Sequence, residues 1–401
     1  MDSIRELYRI GFGPSSSHTM GPGRAAERFL SWIPDAASYR VTLFGSLAAT
    51  GRGHQTDKVL ETLFRNRVMT LLWMPEEELP CHPNGLLFEA LDKQGVLIRR
   101  WEVYSIGGGA LYDPTSRDAV LEINGLETMD QLLERCEKSG ESFWEIQANL
   151  EGKEIWSFLD KVWFSMGDAL KRGLGAEGVL PGGLGLARKA RSYYRKAALY
   201  GQEFKQNSLL AAYALAVSEE NAAGGEIVTA PTCGASGVLP AVLRHLNETL
   251  KCDRKEILRA LATAGLIGNL VKHNASISGA EVGCQGEIGT ACAMAAAAAT
   301  QLFGGSVRQI EYAAEMGLEH HLGLTCDPVQ GLVQIPCIER NAHAATRAMS
   351  CCHFALLSDG GHKISFDEIV AVMKETGQAL PSIYRETAGG GIAQAYRQRQ
   401  R

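Results

Sequence analysis

The sequence predicts an α+β domain followed by an all-α helical domain. Two observations carry that expectation. In the first third, short β-branched and apolar runs alternate with turn signals and helix-length segments, whereas after about Glu151 nearly every periodic segment repeats its apolar residues at helical spacing. The expected division is an α+β domain over residues 1–125, a charged junction over 126–150 and a helical domain over 151–401. A chain of 401 residues is long enough for two such domains, each burying its own core.

In the first part, the segment from Ile4 to Ile10 leads into a glycine- and hydroxyl-rich stretch, Gly11 to Gly21, and then into a helix expected from Pro22 to Trp32. Hydroxyls and glycines just ahead of a helix leave backbone N–H groups free to hold an anion; a generously supplied N-cap is the plainer reading. A strand is expected from Tyr39 to Leu47, then a turn at Gly51–Asp57 that opens a helix reaching about Met69. Further strands are expected at Gly85–Ala90, Val96–Arg100 and Val103–Ile106. A charged helix around Met129–Lys138 lies in the junction.

The second part reads as helices over Ile155–Arg172, Gly185–Tyr200, Leu209–Asn221, Leu239–Leu250, Lys255–Val271, Glu287–Phe303, Ser306–Met316, Glu339–Leu357 and Phe366–Thr376. Glycine and proline clusters punctuate them. No internal repeat or low-complexity linker interrupts the pattern.

Composition excludes several functions. A formal charge of −5 leaves no electrostatic footprint for nucleic acid. The longest weakly polar stretch, Ile288–Phe303, is too short for a hydrocarbon core of about 30 Å, so no membrane segment is expected. Ten cysteines without a regular short-range framework, and no signal sequence, place the chain in a reducing cytoplasm.

Three of those cysteines stand out. Cys284 precedes Gln-Gly-Glu and the alanine-rich helix, where a thiolate feels the positive end of the helix dipole. Cys326 precedes an Asp-Pro turn, and Cys337 follows Ile-Pro at the start of another helix. Cysteines at element ends, without a basic cluster beside them, point to a metal or iron–sulfur site more than to a catalytic thiol. Small core residues are the plainer reading, and it holds for the other seven. Three thiolates suit a [4Fe–4S] cluster with one iron left open; zinc held by Cys326, Cys337 and His320 or His321 is the competitor, though it leaves Cys284 without a role. Upstream, Lys272-His-Asn274 supplies a possible base and hydrogen-bond donors. A pyridoxal phosphate Schiff base at Lys272 lacks a paired phosphate loop. The Thr229–Gly237 loop, with Thr232, has the small residues and helix entry that suit a carboxylate.

Several longer segments resemble the iron–sulfur-dependent L-serine dehydratases. These are Gly-Pro-Ser-Ser-Ser-His-Thr (13–19), Tyr-Ser-Ile-Gly-Gly-Gly (104–109), Glu-Gly-Val-Leu-Pro-Gly (177–182), Asn-Ala-Ala-Gly-Gly (221–225), Asn-Ala-Ser-Ile-Ser-Gly-Ala-Glu-Val-Gly-Cys-Gln-Gly-Glu (274–287) and Gly-Leu-Thr-Cys-Asp-Pro-Val (323–329). The resemblance covers both parts of the chain in order. It implies a small α+β domain, similar to a regulatory domain of some phosphoglycerate dehydrogenases, ahead of a helical catalytic domain. It also implies Cys284, Cys326 and Cys337 as ligands of a [4Fe–4S] cluster, L-serine as substrate, pyruvate and ammonia as products, and a homodimer as the assembly. Threonine or cysteine as substrate, and a non-catalytic serine sensor, are the alternatives.

In that scheme His18 is the first choice for acid–base work, with His54 and Lys272 as alternatives. Ser15, Ser16, Ser17 and Thr19, together with Thr232 and Asn274, are expected to hold the substrate's polar groups. Two departures from the family pattern stand out. The stretch between His54 and Asn84 is shorter than expected, and no cysteine follows Cys352, so capping of the cluster by a terminal cysteine is not expected.

Overall fold

The computed structural model describes residues 1–115 and 126–400. After a single turn at Ile4–Glu6 the chain forms β1 (Ile10–Phe12), a wide turn at Ser16–Met20 and α1 (Gly21–Trp32). There follow β2 (Ser38–Phe44), α2 (Gly45–Thr50), α3 (Thr56–Leu63), β3 (Met69–Met74), β4 (Gly85–Leu91), β5 (Leu97–Ser105) and β6 (Leu111–Tyr112). Beyond residue 126 come α4 (Met129–Ser139), α5 (Phe143–Glu151), α6 (Ile155–Gly175), α7 (Ala190–Ala197), α8 (Gln202–Ala222), β7 (Glu226–Val228), α9 (Val238–Leu250) and α10 (Arg254–Asn274). The chain ends with α11 (Gly279–Val282), α12 (Thr290–Leu302), α13 (Val307–Glu319), α14 (Cys337–Leu356), α15 (Phe366–Ala379) and α16 (Gly391–Arg399). The α+β part and the helical part therefore follow in the expected order.

Five strands form one sheet in the order β3–β2–β4–β5–β6, with β2 and β3 parallel and the other pairs antiparallel. Helices α1 and α3 bury their apolar stripes on one face of it. Phe29 stacks on Trp101 with centroids 6.3 Å apart, and Phe64 packs edge-on against Tyr39 at 5.1 Å. Three strand expectations change. The two strands expected at Val96–Arg100 and Val103–Ile106 are the single β5, because Trp101 and Glu102 continue the ladder opposite Phe88 and Leu87. The helix expected to reach Met69 ends at Leu63, and β3 follows it. Met-Thr-Leu-Leu-Trp-Met has no alternation, so it carries no period-two signal. Finally, β1 pairs with β7 across the two parts of the chain, and three-residue strands are too short for any periodicity to reveal.

The second core is centred on α12, which packs against α9, α10, α13 and α14. Ala291 through Ala299 are all fully buried. A helix hydrophobic on every side is a central one, and its alanines let four neighbours approach closely. Glycines serve the same purpose: a Cβ on Gly317 would stand 2.9 Å from the Ala293 backbone. The N-terminal residues also belong to this core. Met1, Ile4, Leu7 and Tyr8 are buried in it, Ile4 and Leu7 fill the space beside Gly265 and Gly268, and the Tyr8 hydroxyl donates to the Leu261 carbonyl at 2.9 Å. Helices α4 and α5 of the expected junction contribute Leu132, Phe143 and Ile146 to it as well. The expected boundary at residue 125 falls in 116–125, outside the described residues. No helix among the described residues is long and apolar enough to cross a membrane.

Helix α6 offers a paired test of this packing. A Cβ on Gly173 would stand 2.1 Å from the Ala216 carbonyl oxygen, while one on Gly167 meets nothing within 4 Å. Gly173→Ala is expected to destabilise the chain by roughly 1–3 kcal/mol through overpacking. Gly167→Ala should instead stabilise it by about 0.5–1 kcal/mol through helix propensity. Urea unfolding of the two variants checks the opposite signs.

Candidate functional site

Two clusters meet where the sheet-bearing part faces the helical core. The first is built on the wide turn ahead of α1. Ser15 accepts the His18 backbone N–H at 3.1 Å, and the Thr19 hydroxyl donates to the His54 carbonyl at 2.6 Å. Thr56, at the start of α3, donates to the His18 carbonyl at 2.6 Å. These bonds fix the two imidazoles side by side, with ring centroids 4.4 Å apart. Ser15, Ser16, Ser17, His18, Thr19 and His54 are all buried.

Hydrogen-bond bookkeeping assigns the ring protons. The Thr50 hydroxyl proton goes to the Ser46 carbonyl at 3.0 Å, so His54 Nδ1–H donates to Thr50 Oγ1 at 3.1 Å and Nε2 keeps its lone pair. Burial, reinforced by repulsion from His18, holds the His54 imidazole down to about 3, so it stays neutral near pH 7. For His18, Nε2 donates to the Ser46 carbonyl at 3.1 Å. Its Nδ1 then faces the Ser17 hydroxyl at 2.9 Å and a carboxylate oxygen of Glu386 at 3.2 Å.

Glu386 arrives from the other end of the chain. The segment between α15 and α16 runs alongside Cys326: the Cys326 N–H donates to the Tyr384 carbonyl at 2.8 Å, and the Thr387 N–H to the Cys326 carbonyl at 3.2 Å. The Ser46 hydroxyl donates to the Glu386 carbonyl at 3.0 Å. The backbone of Glu386 is left-handed, with φ 53°, a conformation costing about 1–2 kcal/mol for a residue with a Cβ. Burial opposes ionisation there, but His18, His54 and Ser17 hold the carboxyl down to about 2.

The second cluster gathers the three cysteines. Cys284 opens the wide turn Gln285–Gly289 that leads into α12, Cys326 lies on the segment just described, and Cys337 is the first residue of α14. Glu287 Oε2 lies 3.9 Å from both the Cys284 and the Cys326 sulfurs. The Cys337 thiol is close enough to Cys284 and Glu287 for both to act on it. A hydrogen bond from Cys326 draws Cys284 down to about 6 against the effect of burial, with Arg340 assisting; the same bond and burial push Cys326 up. Arg340 donates to the Thr325 carbonyl at 2.7 Å. Across the cluster, Thr232 Oγ1 is buried without a hydrogen-bond partner on the Thr229–Gly237 loop. Asn341 clamps that loop to α14, accepting from Gly237 N–H at 2.9 Å and donating to the Gly234 carbonyl at 2.7 Å.

Three soft thiol ligands, one carboxylate and a guanidinium fit a group built from iron and sulfide. Zinc with His320 or His321 does not form here. Among the described residues the side chains whose ligand atoms lie within 4.8 Å of one another are Cys284, Glu287 and Cys326, and neither histidine is among them.

Lys272 and Asn274 are not part of either cluster. Lys272 Nζ pairs with Asp2 at 2.6 Å, and the charges acting on it are those of Asp2, Arg9 and Glu6. The Asn274 amide donates to the Glu127 and Leu270 carbonyls and closes the end of α10. Short sequence distance from Cys284 was the reason to place them at the site, and the bend after α10 removes it.

Four residues escaped the sequence reading: Glu287, Arg340, Glu386 and His82. A signal existed for the first two, since Cys284–Glu287 and Cys337–Arg340 share an i,i+3 spacing that puts each pair on one helical face. His82 Nε2 lies 3.5 Å from Glu281 Oε1, next to the cysteine segment, and Glu386 needed the tertiary structure.

A family profile described as serine dehydratase alpha chain matches residues 116–393, and one described as serine dehydratase beta chain matches 3–63 and 61–116. The break between the two beta-chain pieces falls inside the short stretch between His54 and Asn84. The L-serine dehydratase of Streptomyces coelicolor is 42% identical over 98% of both chains. L-serine dehydratase 1 of Escherichia coli is 38% identical over 98% of this chain and 99% of its own, and the L-serine dehydratase of Haemophilus influenzae is 36% identical over 98% and 99%. The chain belongs to the serine dehydratase family, with beta-type and alpha-type regions in one polypeptide.

The neutral, buried His54 has a measurable consequence. An unfolded histidine titrates near 6.5 and this one near 3, so between those values the unfolded chain binds a proton that the folded chain does not. Stability from this group is complete above pH 6.5 and fades as the pH falls toward 3. Unfolding free energies from urea titrations between pH 7 and pH 4 should fall less steeply for His54→Gln than for the wild type, by on the order of a few kcal/mol.

Proposed function

We propose that this member of the serine dehydratase family is an L-serine ammonia-lyase. It removes water from L-serine and yields pyruvate and ammonia, with a [4Fe–4S] cluster as its cofactor. The observation that carries the reading is the meeting of Cys284, Cys326 and Cys337 with a paired imidazole site across one backbone segment, Tyr384–Thr387. The relatives named L-serine dehydratase supply the substrate.

Cys284, Cys326 and Cys337 are the residues that would hold the cluster, and the Arg340 guanidinium offsets part of their charge. When bound, such a cluster supplies a Lewis acid that polarises the leaving hydroxyl. The remaining work falls to the chain. His54 keeps a free lone pair at Nε2 for the α-proton of serine, and the Glu386 carboxylate is the anion that offsets the charge the ring then gains. His18 exchanges its proton at Nδ1, where Glu386 and Ser17 orient the ring. That proton, passed from Nδ1 to the leaving oxygen, lets the hydroxyl depart as water. The resulting 2-aminoacrylate tautomerises to an imine, and a second water hydrolyses it to pyruvate and ammonia. The Ser15 hydroxyl on one side, and the unpaired Thr232 Oγ1 on the other, face the substrate's carboxylate and ammonium groups, while Ser17 and Thr19 hold the histidine pair in place. Burial of the histidine pair keeps bulk water from competing for the protons.

Anaerobic reconstitution with iron and sulfide, followed by pyruvate measurement, tests the reading. Four irons and four sulfides per chain, with L-serine turnover that vanishes in Cys284→Ser, are expected. Serine turnover by a chain that binds no iron would overturn it. Glu386→Gln retains the shape of the side chain but leaves His18 Nδ1 without its anionic partner. It should lower kcat roughly 10²- to 10⁴-fold, because the ring then loses the partner that orients it for proton transfer.

A further inference from the structure

The three cysteines leave one iron of a four-iron cluster without a protein ligand. Glu287 is the side chain placed to supply it. The residue follows Cys284 by three positions, so the turn brings its carboxylate beside that thiol. Its Oε2 is equidistant from the Cys284 and Cys326 sulfurs, 3.9 Å from each, and all three candidate ligand atoms lie within 4.8 Å of one another. Space for this arrangement comes from Gly279. A Cβ there would stand 2.8 Å from Glu287 Oε2 and 3.2 Å from the Cys326 sulfur.

The carboxylate lacks the partners that ordinarily accompany an acid in such a place. Among the described residues it has no ion pair with any lysine, arginine or histidine; its carboxylate contacts the two thiols, and the Thr232 hydroxyl also acts on it. The nearby cation, Arg340, is directed at Cys284 and the Thr325 carbonyl. A carboxylate set among thiols, without a cation of its own, is the donor set of a metal ligand.

We propose that Glu287 is the fourth protein ligand of the cluster, its carboxylate holding the iron that the cysteines leave free until substrate takes that position. The inference rests on the reading of Cys284, Cys326 and Cys337 as cluster ligands. No change of oxidation state is involved: one oxygen donor, the Glu287 carboxylate, is exchanged for an oxygen of L-serine.

The test uses the full-length chain reconstituted anaerobically with iron-57 and sulfide. The Mössbauer spectrum of the substrate-free wild type should contain one iron in four with the larger isomer shift of an oxygen-bound site. In Glu287→Gln that component should move, while the three thiolate-bound irons and the iron content stay as they were. Mild oxidation should also convert the variant to a three-iron cluster several-fold faster, read by EPR. A variant spectrum identical to that of the four-iron wild type overturns the carboxylate ligand and leaves the cluster reading intact. A wild type that takes up no iron overturns both. A further measurement needs no variant: wild type grown on glutamate labelled with carbon-13 at the side-chain carboxyl, then reduced by one electron, should show carbon-13 hyperfine coupling by ENDOR. Its absence would equally overturn the proposal.

Discussion

The contact between the Glu386 carboxylate and His18 Nδ1, 3.2 Å across and excluded from water, joins the three regions on which the site depends. His18 comes from the turn ahead of α1, its other nitrogen is tied to Ser46 at the start of α2, and Glu386 rides on the segment bonded to both sides of Cys326. A buried charge is tolerated only where partners offset its desolvation. Here the offset comes from two imidazoles, a serine hydroxyl and the backbone bonds that force Glu386 into a left-handed conformation. The strain and the burial are consistent with one another: both are sustained because the surrounding bonds overdetermine the position of this one side chain.

The helical core makes that arrangement rigid. Alanines along α12, and glycines where Ile4, Leu7 and α13 approach, let helices pack at short range, so the turns that carry Cys284 and Cys337 start from fixed points. Asn341 extends the same order outward by clamping the Thr232 loop to α14. The N-terminal eight residues pack into this core before the chain enters the α+β part. The pairing of β1 with β7 then holds the hydroxyl-rich turn against the cysteine-bearing domain. Neither half of the site depends on a loop alone for its position.

Legibility in the sequence followed the range of each interaction. Helical periodicity located α6, α9, α10, α13 and α15 closely, because each buries one face over three or more turns. It failed at β1, β7 and β3, which are too short or too uniformly apolar to carry a period. Cys284 and Cys337 sit at helix starts, as their glycine and proline neighbours indicated. Glu287 and Arg340 could have been read from the same turns by their three-residue offset. Lys272 shows the opposite limit: twelve positions from a cysteine with a base-like side chain, it is neutralised by Asp2 from the far end of the chain.

By itself, the sequence determined which chemistry the chain can hold: three thiols at element ends, a hydroxyl-rich turn with a histidine, and an alanine helix able to sit at the centre of a core. Those are local properties, set by covalent order, helix geometry and turn preference. Only the tertiary structure decided which charges meet. Glu386 reaches His18 through backbone bonds to Cys326, and Lys272 is drawn away by Asp2, because electrostatic pairing in a buried site follows distance in space. Nothing in local spacing records that distance.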